Sequence, residues 1–94
     1  MIKTHGVGVL IEDPTLERTE WGTKIVKFYV TTEEFIKKGK GKVKKNHMFE
    51  LQAYDSGAET IVEQARKGNT IIFEAQPRNE NNQVIFRLKE FKIV

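Results

Sequence analysis

Apolar and polar residues alternate along most of the chain with a period of two, which is typical of half-buried β-strands. The clearest run places Val26, Phe28 and Val30 on one face and Lys27 and Tyr29 on the other. The alternation, with the turn residues that interrupt it, predicts five strands at 2–11, 23–32, 47–54, 70–76 and 83–94.

Two of these strands contain irregularities. Gly6 and Gly8 in the first strand indicate a bulge or the close approach of another backbone segment. In the last strand, the apolar residues at 84, 86 and 88 share one face, whereas Phe91 and Ile93 fall on the opposite face. This change of phase predicts a β-bulge near Lys89.

One helix is predicted at about 57–67. Ser56 followed by Glu59 resembles a capping box, and the apolar face is built around Ile61. Gly68 is expected to end the helix in the left-handed conformation. The predicted order is therefore three strands, one helix and two strands, which is the arrangement of an all-β, five-stranded OB-fold barrel with the helix between strands 3 and 4.

Two segments lack periodicity. Residues 33–46 are rich in lysine and glycine, and we expect a long hairpin loop there. Residues 77–82 are polar and predict a turn between the last two strands. With 94 residues and no linker-like stretch, residues 1–94 are predicted to form a single domain.

Composition excludes several classes of protein. The chain has no cysteine, so disulfide frameworks, thiol nucleophiles and cysteine-based zinc sites are ruled out. No apolar run is long enough for a transmembrane helix, and Met1-Ile2-Lys3-Thr4 does not begin a signal peptide. We therefore expect a cytoplasmic protein with no membrane partner.

Charge is unevenly distributed. The net charge is +3, from 16 basic and 13 acidic residues, yet 37–45 alone holds six lysines and no acid. The rest of the chain has 10 basic and 13 acidic residues and sums to −3. A local excess of this kind indicates a polyanionic partner, although a lysine run can also serve only solubility.

No motif indicates catalysis. His5 and His47 lie on different predicted strands without metal-ligand spacing, and the glycine pairs match neither a dinucleotide fingerprint nor a phosphate-binding loop. We expect no enzyme activity, no cofactor and no metal.

Aromatic rings lie beside the lysines. Tyr29 and Tyr54 are expected on outward strand faces, and Phe35 at the entrance of the lysine-rich segment. Outward rings stack on unpaired bases, or are covered by the helix, a loop or a partner subunit. Trp21 in the first turn is either a stacking platform or a cap on one barrel end. Arg78 and Arg87 border the last hairpin and would extend a basic path.

Several motifs follow one another along the chain, namely GVLIEDPTL (8–16), Gly22-Thr23 leading into FYVTT (28–32), FELQAY (49–54), Ala58-Glu59 and Lys67-Gly68. Their order and spacing resemble the bacterial and phage single-stranded DNA-binding proteins. The resemblance implies that rings on the second and third strands stack bases. By position, Phe35 and Tyr54 match two of the family's aromatic residues, and Met48 falls where the family usually has a tryptophan.

The chain also departs from the family pattern. The hairpin after Pro77 is short and has no aromatic residue, and the sequence ends at Val94 without an acidic tail. We expect either a truncated or a compact version, bacterial or viral. The resemblance implies a homo-oligomer, dimer or tetramer, with the first strand as the candidate interface, and replication proteins as partners.

The resulting hypothesis is non-catalytic, sequence-independent binding of single-stranded DNA in replication, recombination or repair. A primosome or replication-restart adaptor and an RNA-binding barrel remain alternatives. The nucleic-acid-binding residues are predicted to be Trp21, Lys27, Tyr29, Phe35, Lys37, Lys38, Lys40, Lys42, Lys44, Lys45, Met48, Tyr54 and Arg78.

Overall fold

The computed structural model describes residues 2–94, which form six strands and one helix. In chain order these are β1 (Thr4–Leu10), β2 (Thr15–Arg18), β3 (Lys24–Lys38), β4 (Gly41–Tyr54), α1 (Ser56–Gln64), β5 (Thr70–Glu80) and β6 (Gln83–Ile93). In this part of the chain, no helix has the length and apolar character needed to cross a membrane.

Five strands close into a barrel in the order β1-β5-β6-β4-β3. The ring closes where β1 meets β3, with Val9 opposite Thr31 and Leu10 opposite Val30. Neighbouring strands are antiparallel except β4 and β6, which are parallel. The closed barrel, mostly strand with a single helix, is consistent with the predicted OB-fold.

The predicted position of the helix between strands 3 and 4 is wrong, because α1 follows β4. The numbering shifts because β2, paired with the first part of β3, was not predicted. With Leu16 as its only apolar residue, this four-residue strand is too short to show alternation.

Buried side chains from the barrel strands and α1 form one core. Its largest fully buried apolar members include Leu10, Phe28, Leu51, Ile61 and Ile71. Burying one such side chain contributes about 1.5–3 kcal/mol relative to leaving it exposed. The predicted close approach in the first strand is confirmed at Gly8, where an added Cβ would lie 2.9 Å from the Cβ of Val30.

The ends of α1 differ from the prediction. Asp55, with φ of 53°, is the N-cap residue and its side chain makes no capping hydrogen bond, so the predicted capping box is wrong. Glu59 instead pairs with Lys24, and this hydrogen bond and the lysine charge lower the pKa of Glu59. The helix ends at Gln64 because Ala65 turns into the extended conformation, and Gly68 lies in the following turn.

The last two strands confirm one prediction and correct another. The β5–β6 register passes from Glu74–Glu90 to Ala75–Leu88, which leaves Lys89 as the predicted bulge residue. The predicted turn at 77–82 is wrong, since β5 continues to Glu80 and only Asn81 and Asn82 turn, both with positive φ. Pro77, which has no N–H to donate, lies two residues beyond Ala75, where the described pairing of β5 with β1 ends.

Residues 33–46, hereafter the lysine hairpin, form a two-stranded ribbon rather than the expected loop. β3 runs to Lys38 and β4 starts at Gly41, so only Gly39 and Lys40 turn. The sequence shows no alternation of apolar and polar residues here because neither face of the ribbon is deeply buried. The 15 residues of β3 would span about 50 Å at the usual strand rise, which agrees with the 54 Å long axis of the molecule.

Candidate nucleic-acid interface

The barrel surface formed by β3, β4 and β6 carries a row of polar and aromatic side chains, hereafter the outer face. Register places Tyr29 opposite Glu50, Lys27 opposite Gln52, and Gln52 beside Arg87. Residues that face each other across strands project on the same side of a sheet. The outer face consists of Lys27, Tyr29, Glu50, Gln52, Tyr54 and Arg87.

Hydrogen bonds join four of these side chains in a line. The Tyr29 hydroxyl donates to Glu50 Oε1 over 2.9 Å, and Gln52 Nε2 donates to Glu50 Oε2 over 2.6 Å. The Tyr54 hydroxyl donates to Gln52 Oε1 over 3.0 Å. Gln52 is only 2% exposed, so its amide is the buried link of the network. The network fixes both tyrosines while leaving Tyr29 36% exposed.

Electrostatics changes the ionisation of Tyr29. The hydrogen bond to Glu50 and the negative charge of that carboxylate raise the pKa of Tyr29 above its ordinary value of 10.0. Both effects disfavour the phenolate because it would place a second negative charge beside the first. The neutral, hydrogen-bonded ring is therefore the stable form of this surface.

Arg87 completes the outer face on the β6 side. Its guanidinium carbon lies 4.6 Å from the centre of the Tyr54 ring, a cation–π contact. Across Gln52, on the opposite side, lies the exposed Lys27. Cations therefore flank the buried link of the network on both sides, and one of them also holds a ring.

The lysine hairpin extends the outer face away from the barrel. Its front face continues the alternation of the outer face and consists of Glu33, Phe35, Lys37, Lys42, Lys44 and Asn46. Phe35 is 64% exposed and lies opposite Lys44, which makes an ion pair of 2.7 Å with Glu33. Lys37 and Lys42 face each other directly. Like charges in that position are unfavourable until an anion lies between them.

The other lysines of the hairpin, Lys38, Lys40 and Lys45, do not share that face. The back face of the hairpin consists of Glu34, Ile36, Lys38, Val43 and Lys45. Lys40 lies in the turn. The cause is that each strand sends successive side chains to opposite sides, whereas a loop would not. Where the back face meets the barrel, His47 Nε2 lies 2.6 Å from Glu34 Oε2.

Met48 and Phe49 lie where the hairpin joins the barrel. Met48 is 61% exposed, opposite Thr31, and continues the outer face between Tyr29 and Phe35. Phe49 lies opposite the buried Val30, is 36% exposed and packs edge-on against Phe86 with ring centres 5.6 Å apart. It lines an apolar pocket at the barrel mouth and does not belong to the outer face.

Trp21 and Arg78 belong neither to the outer face nor to the lysine hairpin. Trp21 is 86% exposed in the turn between β2 and β3. That turn adjoins the start of β3, where Ile25 pairs with Tyr54, so Trp21 lies at the end of β3 remote from the lysine hairpin. Arg78 is exposed on β5 opposite Ile85 of β6.

Sequence reasoning missed three members of the outer face. In FELQAY (49–54), alternation places Glu50 and Gln52 on the side away from Leu51 but gives them no role, and Arg87 was included only in a general basic path. Their importance comes from register, which brings Tyr29 to Glu50 and Arg87 to Gln52. The alternation in FELQAY signalled the face but not these partners.

The chain resembles known proteins in sequence and in fold. A family model described as the single-strand binding protein family matches residues 1–84. Comparison with curated protein sequences gives no match.

Solved structures share the fold at low identity. A deletion mutant of the single-stranded DNA binding protein from Thermus aquaticus superposes with a TM-score of 0.84 at 14% identity, over 98% of this chain and 49% of that one. The priB protein of Ralstonia solanacearum gives 0.79 at 12%, over 99% and 97%. The Plasmodium falciparum SSB, in complex with single-stranded DNA, gives 0.82 at 16%, over 100% and 95%. The chain thus spans about half the length of the Thermus aquaticus protein.

Proposed function

The chain belongs to the single-strand binding protein family, and from that premise we propose that it binds single-stranded DNA without catalysing a reaction. The observation that carries the proposal is the outer face with its extension along the hairpin. Partly exposed rings stand there beside unpaired cations on one continuous surface. Rings supply stacking that every base can use, and cations supply phosphate contacts, so binding tolerates any sequence.

The two kinds of side chain divide the work. Tyr29, Tyr54 and Phe35 stack bases, with Met48 packing between them. The cations that contact phosphates are Lys27, Arg87, Lys37 and Lys42. Lys44 is not among them because it forms an ion pair with Glu33. The preference for single strands arises from the rings, since a duplex does not present free base faces to them. The processes served are replication, recombination or repair.

Ring removal tests this proposal. Tyr54→Ala and Phe35→Ala should each weaken binding to oligo(dT) by about 1–3 kcal/mol, the value for one stacked base. Val43→Ala, which trims an exposed residue on the back face, is the matched control and should leave affinity unchanged. Fluorescence anisotropy measures the affinities, and circular dichroism confirms folding. Unchanged affinity in both ring variants would refute the stacking role.

The exposure of Phe35 and Met48 also supports a second candidate, a replication-restart adaptor that uses these side chains against a protein. The same ring variants separate the two functions. An adaptor would lose its protein partner while keeping its affinity for DNA. Matched ribo- and deoxyribo-oligomers test the third class, an RNA-binding barrel, because stacking alone does not detect the 2′-hydroxyl.

A further inference from the structure

Glu50 places a carboxylate at the centre of a surface proposed to bind a polyanion. It lies opposite Tyr29 and two residues from Gln52, and each of its oxygens accepts one hydrogen bond from one of them. Within residues 2–94, no cationic nitrogen lies within 4.0 Å of this carboxylate. A negative charge without an ion pair therefore stands beside Tyr29, one of the rings proposed to stack bases.

Coulomb repulsion keeps phosphates away from Glu50. Cations that form no ion pair within residues 2–94 lie to either side of it. Lys27 and Arg87 flank the neighbouring Gln52, and Lys37 and Lys42 lie out on the hairpin. A strand whose phosphates follow these cations presents its base edges, not its backbone, to Glu50.

The carboxylate has acceptor capacity left for such an edge. An ionised carboxylate offers about four lone-pair sites, and two are used here. Tyr29 and Gln52 already hold the side chain in place, so little rotamer freedom remains to be lost on binding. Gln52 cannot compete as a reader, because its amide is buried and engaged at both ends.

Bases differ in what they offer an anionic acceptor. Cytosine carries an amino donor at N4, where thymine and uracil carry the O4 acceptor, and carboxylate side chains accept from that amino group. Resting on the proposed function, we propose that Glu50 is a specificity-determining residue that favours amino-bearing bases, cytosine over uracil and thymine, at the strand position that stacks on Tyr29.

The test compares oligo(dC) with oligo(dU) of equal length at neutral pH and fixed salt. This pair has the same ring size and lacks the thymine methyl group, so the two bases differ only at position 4 and in the proton on N3, and the pyrimidin-2-one oligomer described below, whose N3 is unprotonated as in cytosine, isolates position 4. The wild-type chain should bind oligo(dC) about two- to tenfold more tightly, the contribution expected of one net hydrogen bond. Glu50→Gln should bring the ratio of the two affinities close to one, because the amide both donates and accepts.

A charge-matched control separates base reading from general electrostatics. Glu63→Gln removes one negative charge from the exposed surface of α1 and should keep the wild-type ratio. Should Glu50→Gln fail to fold, an oligomer of pyrimidin-2-one, which has neither group at position 4, tests the wild-type chain directly. It should bind more weakly than oligo(dC).

The outcomes distinguish this inference from the function on which it rests. Equal wild-type affinities for oligo(dC) and oligo(dU) would overturn the role of Glu50 while leaving single-strand binding intact. A preference for oligo(dC) that survives Glu50→Gln, or that is lost in Glu63→Gln, would also overturn the role of Glu50. Equal binding of oligo(dC) and the pyrimidin-2-one oligomer would do so as well. Absence of binding to every oligomer would overturn both proposals.

Discussion

The ionisation of Tyr29 on the outer face depends on its hydrogen bond to Glu50. Glu50 raises the pKa of Tyr29, so the neutral form of this ring contributes to the stability of the folded protein. That contribution is complete below the ordinary value of 10.0 and is lost as the pH rises through the raised pKa. Moderate alkali should therefore leave the network intact.

Titration of tyrosinate absorbance checks this. The chain has two tyrosines, so Tyr54→Phe leaves Tyr29 as the only one. In that background Tyr29 should titrate above its ordinary pKa, and adding Glu50→Gln should lower the value because the negative charge is gone. Equal pKa values with and without Glu50 would show that the contact does not persist in solution.

The residue scale is also where sequence reasoning was least complete. Alternation in β4 placed Met48 and Tyr54 on the outward side, and the structure agrees. It could not identify Glu50 as a hydrogen-bond acceptor for Tyr29, because that contact depends on the register of two strands. Chain periodicity fixes which side a residue faces but carries no information about its neighbour across the sheet.

At the scale of elements, the lysine hairpin provides a matched pair of variants. Lys37 and Lys42 lie on the front face, and Lys38 and Lys45 lie on the back face. Replacing both front lysines by glutamine should reduce the slope of log affinity against log salt by about 1.4, at 0.7 per phosphate for single strands. Replacing both back lysines removes the same charge and should leave the slope unchanged.

Salt titrations with oligo(dT) give both slopes. Equal losses in the two double variants would contradict the assignment of the front face. They would indicate that the hairpin acts as a general positive charge, as the expected flexible loop would have done.

Elements differ in how far the sequence predicted them, for a physical reason. The bulge at Lys89 was predicted because apolar residues on both sides of it must reach the same core, which forces a change of phase. The hairpin strands at 33–46 were not predicted, because neither face is deeply buried and no alternation of apolar and polar residues marks them. Burial imprints a pattern on the sequence, whereas backbone hydrogen bonds do not.

At the scale of the whole molecule, β1 and β5 carry an exposed apolar patch outside the outer face. Val7 on β1 is 57% exposed and lies opposite the exposed Ile72 on β5, with Val9 two residues along. The predicted homo-oligomer would cover this patch. Val7→Lys should shift the chain towards monomer, because a buried lysine without a partner is unfavourable. Sedimentation equilibrium measures the change.

Single-stranded DNA binding itself remains separate from that assembly. A wild-type chain that is monomeric at all concentrations would contradict the interface on β1 without affecting the outer face. A variant that becomes monomeric yet keeps its intrinsic affinity for a short oligomer would support the placement of the two surfaces on different strands.

The positive charge of the molecule is concentrated on the lysine hairpin. Six lysines lie on one projecting ribbon, and all other residues, including Glu33 and Glu34 of the same ribbon, sum to −3. In the proposed function, a polyanion is attracted to the ribbon and guided onto the adjoining outer face. The lysines would then supply affinity and its salt dependence, and the rings would supply the selection of unpaired strands.

The most direct measurement of this account is a titration of the wild-type chain with oligo(dT) and with a duplex of equal length over a series of salt concentrations. Four phosphate contacts predict a slope of log affinity against log salt of about −3 for the single strand, and tighter binding to the single strand than to the duplex. Absence of binding at low salt, or tighter binding to the duplex, would contradict it.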